Sequence, residues 1–186
     1  MPLPKQGHFN TYADYYQWDD GNCYELIEGE PYMMSPAPST THQRISSRLH
    51  REISLFLKGK TCEAFYAPFD VRLFGLGDDD TTVVQPDLSV ICDHSKIDDR
   101  GCNGAPDFVI EILSPSNGNH DTFTKYYLYR SAGVREYWVI DPVNKSIQMH
   151  FFETNEYNIA VYGETEKVIP HVLEGCEIYL KDVFDI

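Results

Sequence analysis

Glu111 sits where a carboxylate is costly, inside the apolar run from Phe108 to Leu113. A run that is apolar at both parities reads as a strand covered on both faces. Burying an unpaired carboxylate there costs several kcal/mol, so Glu111 is paired, protonated or bound to a cation, unless it ends its strand and reaches water. A second acid, Asp87, opens the preceding apolar run in Gln85-Pro86-Asp87-Leu88-Ser89-Val90-Ile91. Consecutive strands are usually neighbours, so the two acids can meet at one sheet edge. There they could hold a hard divalent cation, which takes one or two carboxylates and leaves its other positions to water and phosphate oxygens. Asp107, in a second Pro-Asp pair, lies four residues before Glu111. At about 3.3 Å per residue its Cα is roughly 13 Å away, too far to share that ion, so it reads as a strand-entry residue.

Lys125 is the third candidate. On a helix from about Asp121 to Ala132, the residues Asp121, Lys125, Leu128 and Ala132 fall along one stripe. A lysine on such a stripe can reach back to the sheet. Alternatively, Asp121 and Lys125 form a surface pair worth a few tenths of a kcal/mol. In that case the aromatic side bearing Phe123, Tyr126 and Tyr127 is the buried one. Spacing leaves both readings open.

The elements that must position these residues follow from periodicity and turn chemistry. Tyr24 to Met34 reads as a hairpin turning around Gly29. Ser35 to Thr41 is a turn-rich connector in which Thr40 or Thr41 caps a helix spanning His42 to Lys58. Ile45, Leu49, Ile53 and Phe56 share one face of that helix, with His42 on the same side at its start, and Arg44, Arg48 and Arg51 line the other. Ala64 to Phe74 and Val83 to Cys92 are β-type runs around a loop whose aspartates, 78 to 80, read as solvated. The polar loop from Ser114 to His120 leads into the Lys125 helix, Gly133 ends it, and Tyr137 to Asp141 is a further buried strand. Short alternating runs from Ser146 onward add more strands. This order marks an α/β or α+β sheet with helices packed on it.

Composition sets bounds on function. At 186 residues and 42% hydrophobic the chain suits one folded domain. The formal charge of −14 lowers the expectation of a nucleic-acid partner, because phosphate binding draws on local cations. The cations are unevenly placed, however, with Arg44, Arg48, Arg51, Lys58 and Lys60 in one stretch. Five cysteines at long spacings, with no C-x-x-C pair, argue against a disulfide framework or a thiolate zinc site, including one built on Cys92, His94 and Cys102. No apolar leader or membrane-length stretch occurs, so with reduced cysteines the expected compartment is the cytoplasm. No nucleophile elbow, P-loop or dinucleotide-binding glycine motif precedes a suitable helix.

Several segments in order carry a resemblance. They are Tyr24 to Glu30; Ser35 to Pro38 with His42 following; Gln85 to Val90; Pro106 to Ser116; Asp121 to Lys125; Tyr129 to Trp138; and Val139 to Pro142. Together they resemble the PD-(D/E)XK nuclease superfamily, and more closely its Uma-two-type family of restriction endonucleases, over about residues 10 to 152. The resemblance implies a restriction-endonuclease-like domain over 1–186, with a central mixed sheet flanked by helices, a core over about 20–152 and a β-rich extension over 146–186. It implies metal-assisted hydrolysis of phosphodiester bonds in DNA, with Mg²⁺ or Mn²⁺ on Asp87 and Glu111 and with Lys125 orienting water or stabilising phosphate charge. His42, Asp121 and Glu25 become supporting or substrate-contacting residues, and Arg44, Arg48 and Arg51 a nucleic-acid face. A homodimer is expected, since C2 is the commonest symmetry. The sequence departs from the superfamily pattern at Leu113, where lysine is usual two residues after the glutamate. That departure, with the acidic charge, keeps a second reading open: a non-catalytic dimeric binding module on the same fold.

Overall fold

The structure is a computed structural model that describes residues 4, 7–34, 37–114, 119–153 and 158–185, and only the backbone of 119–122. Ser35 and Pro36 of the connector, residues 115–118 of the polar loop and the Asp121 side chain lie outside the described residues.

In chain order the first elements are α1 (Tyr12–Tyr15), β1 (Tyr24–Ile27), β2 (Glu30–Met33), α2 (Thr40–Leu57), β3 (Glu63–Tyr66), β4 (Val71–Arg72), β5 (Val83–Val84) and β6 (Leu88–Ile91). There follow β7 (Ile97–Asp98), β8 (Gly101–Asn103), β9 (Phe108–Ile112), α3 (Asn119–Ala132), β10 (Glu136–Asp141), β11 (Ser146–Phe151), β12 (Asn158–Gly163), β13 (Lys167–Val168), β14 (Ile178–Tyr179) and α4 (Leu180–Phe184). Among the described residues, one sheet runs β2-β1-β5-β4-β8-β7 and a second runs β12-β11-β10-β9-β6-β3, with β13 and β14 paired beside them. The second sheet is mixed: β9 and β10 are parallel, its other pairings antiparallel. Its architecture is the helix-flanked mixed sheet that the resemblance implies.

The chain passes from the first sheet to the second at Gln85-Pro86-Asp87, between β5 and β6. Pro86 has no N–H to give to a ladder, so pairing stops there. Pro68 similarly divides the run Ala64 to Phe74, whose halves β3 and β4 join different sheets.

Both faces of the second sheet are covered. Leu88, Val90, Phe108, Ile110, Ile112, Trp138 and Ile140 pack on one side with α2 and α4. Val109, Tyr137 and Val139 pack on the other with Leu128 and Tyr129 of α3. The α2 contribution is the expected stripe with one replacement. Ile45, Leu49, Ile53 and Leu57 are buried, and Phe56 is only partly so. Each such burial stabilises by roughly 1.5–3 kcal/mol. The cap is Ser39, not a threonine: its Oγ accepts from the His42 backbone N–H at 3.2 Å. At the C-terminal end of α3, Gly133 takes φ +93°, a conformation that strains any residue with a Cβ.

Two expectations need correction. The loop aspartates are not all solvated: Asp80 is fully buried and accepts from the backbone N–H groups of Phe74, Leu76 and Thr82, so it shapes the loop. Nor are all the cysteines free. Cys62 and Cys92 flank the register pair Glu63–Ile91 of β3 and β6 and form a disulfide. The compartment argument from reduced cysteines therefore loses its footing. Among the described residues no helix is long and apolar enough to cross a membrane.

His150, on β11, is buried beside the rings of Tyr126, Tyr137 and Phe152, and its Nδ1 has no hydrogen-bond partner among the described residues. Burial pushes its pKa from the ordinary 6.5 down to about 4. Between those values the unfolded chain binds a proton that the folded chain refuses, so stability falls as pH drops through that window. The loss at pH 4.5 relative to pH 7 is expected to be roughly 2–3 kcal/mol. His150→Phe should remove most of it, and urea midpoints of both chains at the two pH values check this.

Candidate active site

Three structural units meet at the seam between the sheets. The register of β6 and β9 pairs Leu88 with Ile110, which sets Asp87 opposite Glu111 one step further along. Both acids point to the α3 side of the sheet, in phase with Val109. Asp87 is fixed through Oδ2, which accepts the Ile112 backbone N–H at 2.8 Å and lies 3.2 Å from His42 Nε2. His42 reaches it from the first turn of α2.

Lys125 faces inward, resolving what spacing left open. It is buried on α3 and its Nζ donates to Glu111 Oε1 and to Glu25 Oε1, each at 3.0 Å. Glu25 comes from β1 in the other sheet and also accepts the Gln85 backbone N–H at 3.0 Å. Tyr129, one turn beyond Lys125, donates its hydroxyl to Glu111 Oε1 at 2.6 Å. Sequence reading missed Tyr129; its position four residues after Lys125, on the same helix face, was the available signal.

Charge at this seam is unbalanced. Asp87, Glu111 and Glu25 bring three carboxylates against one ammonium and one imidazole. The Glu111 pKa is pushed up to about 7: burial is the main cause, Lys125 and the Tyr129 hydrogen bond oppose it, and the Asp87 and Glu25 charges add to the rise. Burial works to lower His42, but the hydrogen bond and charge of Asp87, with Glu111, outweigh it and the net shift is upward. Burial, then the Glu111 and Glu25 charges, hold the Tyr129 hydroxyl well above its ordinary value.

The donor set fits a divalent cation. Asp87 and Glu111 each commit one oxygen to the bonds above, and the other oxygen makes no hydrogen bond among the described residues. Hard oxygen donors with surplus negative charge are what such an ion requires. Among the described residues no trio of His, Cys, Asp or Glu is already gathered at ligating spacing. Glu111 instead leans toward Lys125 and Tyr129.

The remaining expected residues are placed as follows. Asp107 stands outside the site, accepting from the Cys92 backbone N–H at 2.8 Å and from Arg135 at 3.4 Å. Of the α2 arginines, Arg44 is exposed, Arg48 donates to the Val183 carbonyl at 3.3 Å, and Arg51 donates to Glu52 at 2.8 and 3.0 Å. Two of the three thus have contacts within the chain, and Arg48 ties α2 to α4.

Comparison with known proteins gives three findings. The Uma2 family model, described as "Putative restriction endonuclease", matches residues 12–181. "Uncharacterized protein slr1290" of Synechocystis is 26% identical over 171 residues, covering 90% of this chain and 85% of that one. The crystal structure of a "putative nuclease belonging to DUF820" from Anabaena variabilis superimposes with a TM-score of 0.74 at 23% identity, over 94% of this chain and 97% of that one. The last shares the fold.

Proposed function

The chain belongs to the Uma2 family, and from that premise we propose that it is a metal-dependent endonuclease hydrolysing phosphodiester bonds in DNA. The observation that carries this reading is the buried Lys125 ammonium held 3.0 Å from Glu111, opposite Asp87. Such a pair has no need to exist for packing alone, since an apolar pair of similar volume often stabilises a core as well.

Asp87 and Glu111 would hold the ion, Mg²⁺ or Mn²⁺. When bound it supplies Lewis acidity toward a phosphoryl oxygen. The chain's own groups do the rest. Ile112 N–H and His42 orient the Asp87 carboxylate. Tyr129 and Lys125 hold one oxygen of Glu111 and leave the other without a hydrogen bond among the described residues. Lys125 sets a fixed positive charge where negative charge grows on the phosphoryl group, at a buried position where such a charge acts strongly because little water intervenes. Glu25 anchors that ammonium from the far sheet. Cutting both strands of a duplex calls for two such sites. We propose the edge strand β12, with Ile159 and Val161 exposed on one face, as the surface that a second copy covers.

Supercoiled plasmid with Mn²⁺ or Mg²⁺ tests the reading. The intact chain is expected to nick and linearise it, chelation to stop the reaction, and Asp87→Ala to abolish both cleavage and Mn²⁺ uptake. Mn²⁺ uptake unchanged by Asp87→Ala would leave the reading without its metal centre.

A further inference from the structure

We propose that His42 is a third ligand of the cation held by Asp87 and Glu111, and that this nitrogen donor makes the site favour Mn²⁺ over Mg²⁺. The inference rests on the nuclease reading's cation site and adds a donor of another chemical kind.

The geometry supports it first. Two ligand atoms each about 2.1 Å from one ion, subtending roughly 90–110°, stand roughly 3.0–3.4 Å apart. His42 Nε2 and Asp87 Oδ2 are 3.2 Å apart, so an ion can take the place of their hydrogen bond, and Glu111, which leans toward Lys125 and Tyr129, completes the trio by turning its other oxygen to that ion. The second support is the state of the ring. His42 is only 7% exposed, and the ring nitrogen that it turns to the acids is Nε2. The polar groups acting on this ring are the Asp87 carboxylate, the Glu111 charge and the Ile112 backbone, which are the groups that build the cation site. The third support is rigidity. His42 lies in the first turn of an eighteen-residue helix whose Ser39 cap binds the His42 backbone N–H, so the ring is presented from a fixed base.

The consequence for metal choice follows from donor chemistry. Mg²⁺ takes oxygen ligands and keeps its waters reluctantly exchanged. Imidazole adds affinity for first-row transition ions, Mn²⁺ being the weakest-binding of that series and the one that shares Mg²⁺'s taste for carboxylates. A two-carboxylate, one-imidazole site is therefore biased toward Mn²⁺.

The test measures binding, apart from cleavage, on the full chain. Mn²⁺ is titrated by electron paramagnetic resonance and Mg²⁺ by calorimetry, for the intact chain, His42→Ala and Asp87→Ala. His42→Ala is expected to weaken Mn²⁺ about tenfold or more, and Mg²⁺ less than about threefold. Spin-echo modulation from a directly bound ¹⁴N should be present in the intact chain and absent in His42→Ala. Should that variant misfold, ¹⁵N-histidine labelling of the intact chain should convert the ¹⁴N pattern to ¹⁵N. Absence of nitrogen modulation in the intact chain, or equal losses for both ions, overturns the proposal. If Asp87→Ala abolishes Mn²⁺ binding while nitrogen modulation is lacking, His42 alone is removed and the cation site stands. If the intact chain takes up no Mn²⁺, both readings fall.

Discussion

Lys125→Met is expected to lower plasmid cleavage by about 10²–10³-fold, the usual cost of deleting one preorganised group that meets transition-state charge. Methionine keeps the apolar stem that packs on α3's inner face, so the loss isolates the ammonium. It also leaves Glu25 and Glu111, each a 3.0 Å partner of Nζ, as a buried pair of like charges. Glu111, already held above the ordinary carboxylate range, would be driven higher, and the fold would weaken with it. Adding Glu25→Gln to Lys125→Met should restore thermal stability by removing the surplus charge, without restoring cleavage. A Lys125→Met chain that cuts plasmid at the intact rate would take the ammonium out of the chemistry.

The largest stability effect is expected at Glu136. Its side chain is buried at the start of β10, where Oε1 accepts from Trp138 Nε1 at 2.7 Å and Oε2 from the Val172 backbone N–H at 2.9 Å. Burial raises the Glu136 pKa, and these hydrogen bonds work against that rise. Glu136→Ala strands two donors in the interior, next to the largest buried side chain of the fold, and should cost about 3–4 kcal/mol. Glu136→Gln keeps one acceptor for Trp138 but turns an N–H₂ toward Val172, so about half that loss is expected. Urea denaturation of the three chains gives the comparison, and a cost below about 1 kcal/mol for alanine would show that water satisfies the stranded donors.

How far the sequence disclosed this site depends on which physical signal each residue leaves. Asp87 and Glu111 were legible because an acid beside or inside an apolar strand is anomalous by itself, and because neighbouring strands bring such acids together. Lys125 was half legible. Its helix carries apolar residues on more than one side, so the stripe did not say which face meets the sheet; only the packing of Leu128 and Tyr129 on Val109 and Val139 decides it. Tyr129 left only its i+4 spacing from Lys125, and Glu136 left no signal, because a strand-start glutamate is ordinary in a sequence. Cys62 and Cys92 were misread because the cysteines were judged by number and spacing along the chain and not by the pairing of the strands that carry them. The two β runs around the aspartate loop pair antiparallel along their length, β4 with β5 and β3 with β6, and that register sets those cysteines side by side. Arg48 shows the limit of helical periodicity from the other direction: a polar-face residue can still be recruited by a distant carbonyl.

The Glu25–Lys125 contact joins residues 100 positions apart and belongs to neither sheet alone. Loop closures of that span form late, after local hairpins and helices have been secured. On the proposed nuclease reading, catalytic competence would then arrive as the last event of maturation: a nascent or half-assembled chain carries every reactive group but does not yet hold them together.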